Sequence, residues 1–410
     1  MTIKNNLYSA PAQFEPLMPG ERVSRALFEL AHEVIRVSLR LTGGAHPAAK
    51  NALAPLLRAM NSYYTNRIES QHTLPTDIER ALAGNYTRDP DRARLQRVAM
   101  AHLNTEAWAE QTLASAGWRG LFSTQAVCSL HAHLYGQLPE EDRRAENGEI
   151  LLPGALRARD VKVGRHVAPK ATAVPAFLDR WSGFYAALPE GENALIGVAC
   201  AHHRLAWVHP FLDGNGRVAR LHSYAALYAM GLSGGLWSPM RGLARAQQVY
   251  YDRLHNADEP RENNLDGRGN LSEKRLVEFA AFFLETCLDQ ARFMHEMLDL
   301  AKLKERIRAL LAFESAKPAS ELRMEALAPL HYAFVAGPVE RGEFKAMTGL
   351  ASRTAERLLA ALLKHRLLIS PSPKGKVGFG VPYFALRFYF PSLWPEAEAD
   401  AARHEGLPQE

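Results

Sequence analysis

The sequence predicts a mainly α protein: a helical bundle interrupted by one small β-hairpin and followed by a C-terminal winged helix-turn-helix. Three observations carry that prediction. Apolar residues recur at three- and four-residue spacing through most of the chain as far as Leu311. One stretch, 151–175, is hostile to helix, with Pro153, Gly154, Gly164 and Pro169 around the alternation Val161-Lys162-Val163. The last hundred residues read in the order helix, short turn, helix, two-stranded ribbon.

Taken in order, residues 10–20 form a loop. Residues 21–41 then place Val23, Leu27, Leu30, Val34, Ile35, Leu39 and Leu41 on one stripe. A second periodic helix covers about 47–60, a polar run follows over 61–73, and 89–115 is a long amphipathic helix. Helical periodicity returns at Pro175 and continues, broken at 189–191, 209–216 and 231–239. The polar, glycine-containing segment 256–270 is a surface loop. In the last unit, 303–313 and 341–347 are helices. Residues 352–365 are a better one, with Ser352 as N-cap and Leu358, Leu359, Leu362 and Leu363 on one side. Leu367-Leu368-Ile369, a turn over 371–375 and the apolar stretch 377–390 complete the ribbon. The expected division is an N-terminal helical region (1–115), a core (116–300), a winged helix (301–395) and a tail (396–410).

With 410 residues, 47% hydrophobic and 23% charged, the chain can bury two or three cores, and disorder, collagen and coiled coil are excluded as global descriptions. The three cysteines, Cys128, Cys200 and Cys287, are far apart and offer neither a disulfide framework nor a thiolate zinc site. A cytoplasmic setting is therefore expected. No stretch reaches the roughly 18 consecutive apolar residues of a membrane span, and Met1 to Gln13 carries no apolar run, so neither export nor membrane insertion is expected.

One segment concentrates chemistry: His209-Pro210-Phe211-Leu212-Asp213-Gly214-Asn215-Gly216-Arg217-Val218-Ala219-Arg220. It lies between two helical patterns, so its glycines sit where a loop opens into a helix. The first amides of a helix lack internal acceptors and face outward at the positive end of the dipole, which suits phosphate oxygens. Gly214 and Gly216 clear the side chains that would block a close approach. Arg217 and Arg220, three apart, share one helix face from which both guanidinium forks reach phosphates. Asp213 is a hard oxygen ligand suited to one position of Mg²⁺. His209 is the group here whose ordinary pKa lies near neutrality, the natural base for a hydroxyl attacking phosphorus. His202, His203 and His222 raise a metal-hydrolase alternative, but neighbours on a helix point about 100° apart and meet one ion poorly.

The segment resembles the signature of the Fic family, His-x-Phe-x-Asp/Glu-Gly-Asn-Gly-Arg-x-x-Arg, at every specified position. The resemblance implies a Fic-type helical bundle that transfers AMP from ATP to a Ser, Thr or Tyr hydroxyl of a protein and releases pyrophosphate. It implies that His209 is the base, Asp213 the Mg²⁺ ligand, and Gly214 to Gly216 the phosphate cradle. Asn215 is then a further phosphate contact, Arg217 a charge clamp and Arg220 the clamp on the γ-phosphate. Pro153-Gly154-x-x-Arg157 and Val161-Lys162-Val163-Gly164 resemble the flap that holds the target peptide by strand addition. Arg241 with Tyr250-Tyr251 resembles the downstream helix. Gly214 argues against relatives that carry Lys within the signature and phosphorylate their target. Transfer of UMP, GMP or phosphocholine stays open, because nothing in the motif reads the base.

Thr65-Asn66-Arg67-Ile68-Glu69-Ser70 resembles the family's inhibitory helix, Ser/Thr-x-x-x-Glu-Gly/Asn, with Ser70 where Gly or Asn is expected. The implied mechanism is competition: a carboxylate on Arg220 occupies the fork that would hold the γ-phosphate. A hydrolase of the same fold, with Glu69 positioning a water, stays open beside it.

Lys and Arg exceed Asp and Glu by five overall. Residues 341–387 hold nine basic against two acidic side chains, so the excess is largely there. Arg353 and Arg357 on the second helix and Lys374 and Lys376 at the wing tip suit phosphate contacts on a duplex. Such units also dock proteins or dimerise, so DNA, a protein partner and a homodimer all stay open, as does a DNA-binding regulator whose Fic site modifies only itself.

Overall fold

The computed structural model describes residues 8–145 and 148–396. Helices α1 (Glu21–Gly44), α2 (Pro47–Ile68), α3 (Pro75–Leu82) and α4 (Pro90–Trp108) come first, and a π turn at Ala109–Leu113 leads to α5 (Gly117–Leu121) and α6 (Thr124–Gly136). A hairpin of β1 (Lys162–Val163) and β2 (His166–Val167) follows, pairing Lys162 with Val167 and Val163 with His166. Then come α7 (Val174–Tyr185), α8 (Glu192–Val208), α9 (Asn215–Ala229), α10 (Met240–Arg245), α11 (Gln247–Ala257) and α12 (Glu273–Met297). The C-terminal unit contains α13 (Leu300–Ser315), α14 (Leu327–Ala336), α15 (Arg341–Met347), α16 (Ser352–Lys364), β3 (Leu368–Ile369), β4 (Gly378–Phe379) and α17 (Leu386–Tyr389).

Helix α8 is the axis of the bundle. Only Glu192, Asn193 and Ala206 of its residues are partly exposed, as expected of a helix whose apolar residues run all round it. Helices α1, α7, α9 and α12 pack around it, and α2 packs against α4 and α10. Because α1 lies along α12, the first hundred residues share the core of the central bundle instead of forming a layer of their own. Among the described residues no helix is long and apolar enough to cross a membrane.

The structure corrects the sequence reading in several places. The polar run 61–73 is not separate from the helix before it: α2 continues to Ile68, and Asn61, Ser62, Thr65 and Asn66 are buried against other helices. Leu39, placed on the apolar stripe, is exposed. Ser352 is the first residue of α16 and caps nothing; Ala351 is the N-cap. The stretch 377–390 is a strand only at Gly378–Phe379, since Pro382 cannot donate to a ladder and α17 follows. Helix α14 is unmarked by periodicity because its residues are apolar on most sides, with Pro329 in its first turn.

In the C-terminal unit, α15, α16 and the β3–β4 hairpin follow in winged-helix order, and Val339 bridges Val377 beside the hairpin. Helix α14 and β4 face α2. The expected tail lies outside the described residues beyond Glu396.

Candidate active site

Helix α8 ends at Val208, and His209 adopts a left-handed conformation (φ 50°). Residues with a Cβ seldom do so. What holds it is Arg157, whose buried guanidinium donates from Nε to the His209 carbonyl (2.8 Å) and from Nη2 to the carbonyls of Pro169 (2.6 Å) and Val208 (3.4 Å). The Arg157 amide donates to the Pro210 carbonyl (2.9 Å). The final carbonyls of a helix lack partners within it, and a cation at that end also meets the negative pole of the dipole. The flap segment therefore fixes the turn that carries the imidazole.

The His209 ring is half-buried and lines a cleft of about 530 Å³. Burial first, then the charges of His166 and Arg157, lower its pKa to about 4, against the opposing pull of the Ala206 carbonyl and Glu69. It is thus neutral at pH 7, the form that accepts a proton.

The loop after it is tied by one side chain. Asn215 Oδ1 accepts from the Phe211 amide and its Nδ2 donates to the Phe211 carbonyl, both at 2.9 Å. That side chain, expected to meet a phosphate, is engaged within the protein. Phe211 in turn stacks on His131 (4.0 Å), whose Nδ1 accepts from the Gly154 amide (2.8 Å). Gly214, at φ 79°, caps α9, and a Cβ there would overlap the Tyr135 hydroxyl. A Cβ on Gly216 would stand 2.6 Å from Glu69 Oε1. Both glycines are required by the close approach of Tyr135 and Glu69, groups of the protein itself, where the sequence reading expected phosphate.

Arg217 is buried with its guanidinium 5.5 Å from the Tyr135 ring centre and 3.8 Å from Asp213 Oδ2. Among the described residues its Nε has no hydrogen-bond partner. The Asp213 carboxylate is 41% exposed, and its Oδ1 accepts from the Gly214 amide (2.6 Å).

Arg220 is 1% exposed. It donates from Nε to Thr65 Oγ1 (2.7 Å) and from Nη2 to the Thr65 carbonyl (3.3 Å) and the Glu69 carboxylate. Burial pushes the Glu69 carboxyl up, but Arg220 and Arg217 outweigh it and hold the group below its ordinary range. Tyr250 also reaches Arg220 and accepts or donates with His202 at 2.7 Å.

Glu69 is delivered by the end of α2, where the Gln71 amide donates to the Asn66 carbonyl (2.8 Å) and the Ser70 amide to the Arg67 carbonyl (3.0 Å). This is a Schellman closure with Ser70 in the left-handed position (φ 57°). The helix therefore ends at the point the resemblance requires, despite serine in place of Gly or Asn.

Glu69, His209, Asp213, Gly214, Asn215 and Gly216 line one cleft with the flap residues Val161, Lys162, Val163 and Gly164. Lys162 and Val163 are exposed on β1. The sequence reading missed Tyr135 and His131, which pack beneath the loop. It also had no account of Trp207, which is buried among Tyr8, Phe14, Phe177 and His166, and whose carbonyl accepts from His166 (2.7 Å). The histidines behind the metal-hydrolase alternative are engaged elsewhere. His202 bonds to Ser223 and Tyr250, His203 to the Leu254 carbonyl and Asp258, and His222 to the Leu121 carbonyl. Arg353, Arg357 and Lys374 are exposed and Lys376 lies 3.5 Å from Glu340, all outside the residues lining this cleft.

A glycine loop opening into a helix, the buried Arg217 and Arg220, the carboxylates of Asp213 and Glu69 and a neutral histidine gather at one cleft beside the β1–β2 hairpin of a helical bundle. The Fic/DOC family model matches residues 121–227. Over 110 residues the chain is 31% identical to the protein adenylyltransferase Fic of Culex quinquefasciatus, covering 26% of this chain and 20% of that one. The match thus spans about a fifth of the curated relative's length. In fold, the chain is similar to a Fic family protein from Desulfovibrio desulfuricans (TM-score 0.50, 18% identity, 87% of this chain and 97% of that one). It is also similar to Fic-1 from C. elegans (TM-score 0.52, 15% identity, 68% and 75%). Residues 121–227 of the chain thus carry a Fic domain.

Proposed function

We propose that this protein is a protein adenylyltransferase that moves AMP from Mg²⁺-bound ATP to a Ser, Thr or Tyr hydroxyl of a protein, itself included, and that it rests in a state inhibited by Glu69. The observation that carries the reading is the Glu69–Arg220 ion pair lying against Gly216 in the cleft that holds His209. A carboxylate there imitates a phosphate oxygen at the start of α9.

In the reaction, a target hydroxyl gives its proton to His209 while its oxygen attacks the α-phosphorus. The bond to the β-phosphate's bridging oxygen breaks, and pyrophosphate leaves. The amides at the start of α9, the unpartnered Arg217 Nε and the Arg220 fork, once freed of Glu69, meet the growing charge. Asp213 is the residue that would hold Mg²⁺. Its carboxylate is half-exposed, and among the described residues no group of three or more His, Cys, Asp or Glu could hold an ion. Such a donor set suits a metal that arrives with nucleotide phosphates and waters, where it supplies neutralising charge. The exposed edge of β1 offers backbone groups for a target strand.

Mass spectrometry of the protein after incubation with Mg²⁺ and each nucleoside triphosphate tests the reading. An adduct of AMP mass, absent in His209→Ala, is expected. Labelling that survives in His209→Ala, or adducts from no nucleotide even in Glu69→Gly, overturns it. Release of AMP from a premodified protein in place of labelling would identify the hydrolase of the same fold.

As a second role we propose that the C-terminal unit binds duplex DNA, a reading favoured by the exposed Arg353, Arg357 and Lys374. Arg353→Ala should weaken salt-dependent duplex binding without altering labelling.

A further inference from the structure

The last described residues, 391–396, leave the winged helix and cross α2 and α10 immediately before Thr65. Arg241 on α10 donates from Nη2 to the Ser392 carbonyl (2.7 Å) and from Nε to the Leu393 carbonyl (3.3 Å). The Tyr64 hydroxyl donates to Glu396 Oε2 (2.5 Å) and lies 3.1 Å from the Leu393 carbonyl. Arg245 donates to the other oxygen of Glu396 (3.0 Å). The Trp394 ring stands 6.5 Å from that of Tyr63, and Leu393 is buried. The segment is thus fixed to α2 and to α10, the helix that flanks it, by both backbone and side chains. Burial and the Glu396 carboxylate raise the Tyr64 pKa, so its hydroxyl keeps the proton it donates.

Tyr64 is adjacent to Thr65, whose hydroxyl and carbonyl receive Arg220, and lies five positions before Glu69. A helix moves as a rigid element, so whatever sets the axial position of α2 at Tyr63 and Tyr64 also sets the position of Glu69 in the cleft. From α11, Gln247 and Tyr251 donate to the Ile68 carbonyl (2.9 and 2.6 Å) and hold the helix end from the other side. The two anchors differ in kind. The α11 contacts lie within the catalytic core, whereas residues 391–396 belong to a unit that also touches α2 through α14 and β4.

We propose that residues 391–396 are a latch through which the C-terminal unit holds the inhibitory helix in place, so that displacement of that unit frees Arg220 for nucleotide. The inference rests on the reading of Glu69 as inhibitor. It makes α2 the two-state element and couples two sites by the free energy with which the latch favours the seated helix.

The test uses the full chain with Tyr64→Phe, which retains the ring, and Glu396→Ala. Auto-labelling with ATP labelled at the α-phosphate is compared with wild type and with Glu69→Gly, and hydrogen exchange is followed in peptides covering residues 61–70. Both latch variants should raise labelling at least fivefold, give no further rise when combined with Glu69→Gly, and reduce amide protection in 61–70 about tenfold with the urea midpoint nearly unchanged. Wild-type labelling in the latch variants beside strong labelling in Glu69→Gly overturns the latch and leaves the inhibitor standing. If Glu69→Gly itself labels no faster than wild type, the inhibitor reading fails. Exchange then decides alone, and unchanged protection of 61–70 overturns the latch.

Discussion

Glu69 and Arg220 stand 151 positions apart in the chain, and their ion pair occupies the space that a side chain at Gly216, in the first turn of α9, would need. The protein supplies its own anion to the place where its helix dipole, loop amides and buried arginine converge. In the function proposed above, a γ-phosphate would need the guanidinium fork that this carboxylate holds, so the two would exclude one another.

Removing the carboxylate should therefore activate. Glu69→Gly is expected to increase auto-labelling at least tenfold, and Glu69→Gln, which keeps shape but loses charge, by less. Without ligand, the loss of the partner leaves Arg220 buried and unpaired. Because the Glu69 side chain is 30% exposed, the cost should be about 1–2 kcal/mol, below that of a fully buried pair. Saturating Mg-ATP should restore about 2–3 kcal/mol at a hundredfold excess over its Kd. A melting temperature for Glu69→Gly equal to wild type without nucleotide would contradict the pairing.

Ser70 supplies the second prediction. It closes α2 in the left-handed region, where a Cβ costs roughly 1 kcal/mol relative to glycine. Ser70→Gly should shift the urea midpoint upward by the equivalent of about 0.5–1 kcal/mol and, by seating Glu69 more firmly, should not raise labelling. A destabilised Ser70→Gly would show that the serine side chain contributes more than its backbone conformation costs.

The dozen residues 209–220 were legible because their chemistry is contiguous: spacing alone sets both arginines on one helix face, and the glycines mark the loop. The supports were not, since each comes from a distant segment and is of an unremarkable type. Arg157 was read only as part of the flap, yet it holds the His209 carbonyl 52 positions further on, and Tyr135 sits on α6, to which the sequence reading gave no role. The polar face of α2 misled for the opposite reason. Asn61, Ser62 and Thr65 look like solvent-facing residues, yet their partners are Glu106, the Ala99 carbonyl and Arg220 on other helices. A sequence displays donors and acceptors but not which of them meet.

Arg157 should act on the rate through geometry. Its loss leaves the carbonyls of Val208, His209 and Pro169 without their buried donor, and His209 is then free to leave its left-handed turn. Arg157→Ala is expected to reduce the labelling rate about a hundredfold, because small misplacement of a base is expensive in rate, while ATP affinity changes little. Arg157→Lys should recover part of the rate, since one ammonium replaces one of several bonds. A large loss of ATP affinity with an unchanged rate at saturation would instead assign Arg157 to nucleotide binding.

Acid should unfold the protein through its buried histidines. Burial lowers His102 to about 3 and His131 and His222 to about 4, with Arg220 and Arg217 adding to the effect at His102. Among the described residues neither ring nitrogen of His102 has a hydrogen-bond partner, so a proton there gains nothing. In the unfolded chain the same rings take a proton near pH 6.5. The unfolded state therefore binds more protons than the folded one between about pH 6.5 and pH 4. Stability is level above that window and falls as pH drops through it, by about 1.4 kcal/mol per pH unit for each histidine fully inside. Urea midpoints measured from pH 7.5 to 4.5 should decline below pH 6.5, and the decline should be shallower in His222→Gln, which removes one of the titrating rings. A midpoint that stays constant from pH 7 to 5 would mean that these imidazoles find protons inside the fold as readily as in water.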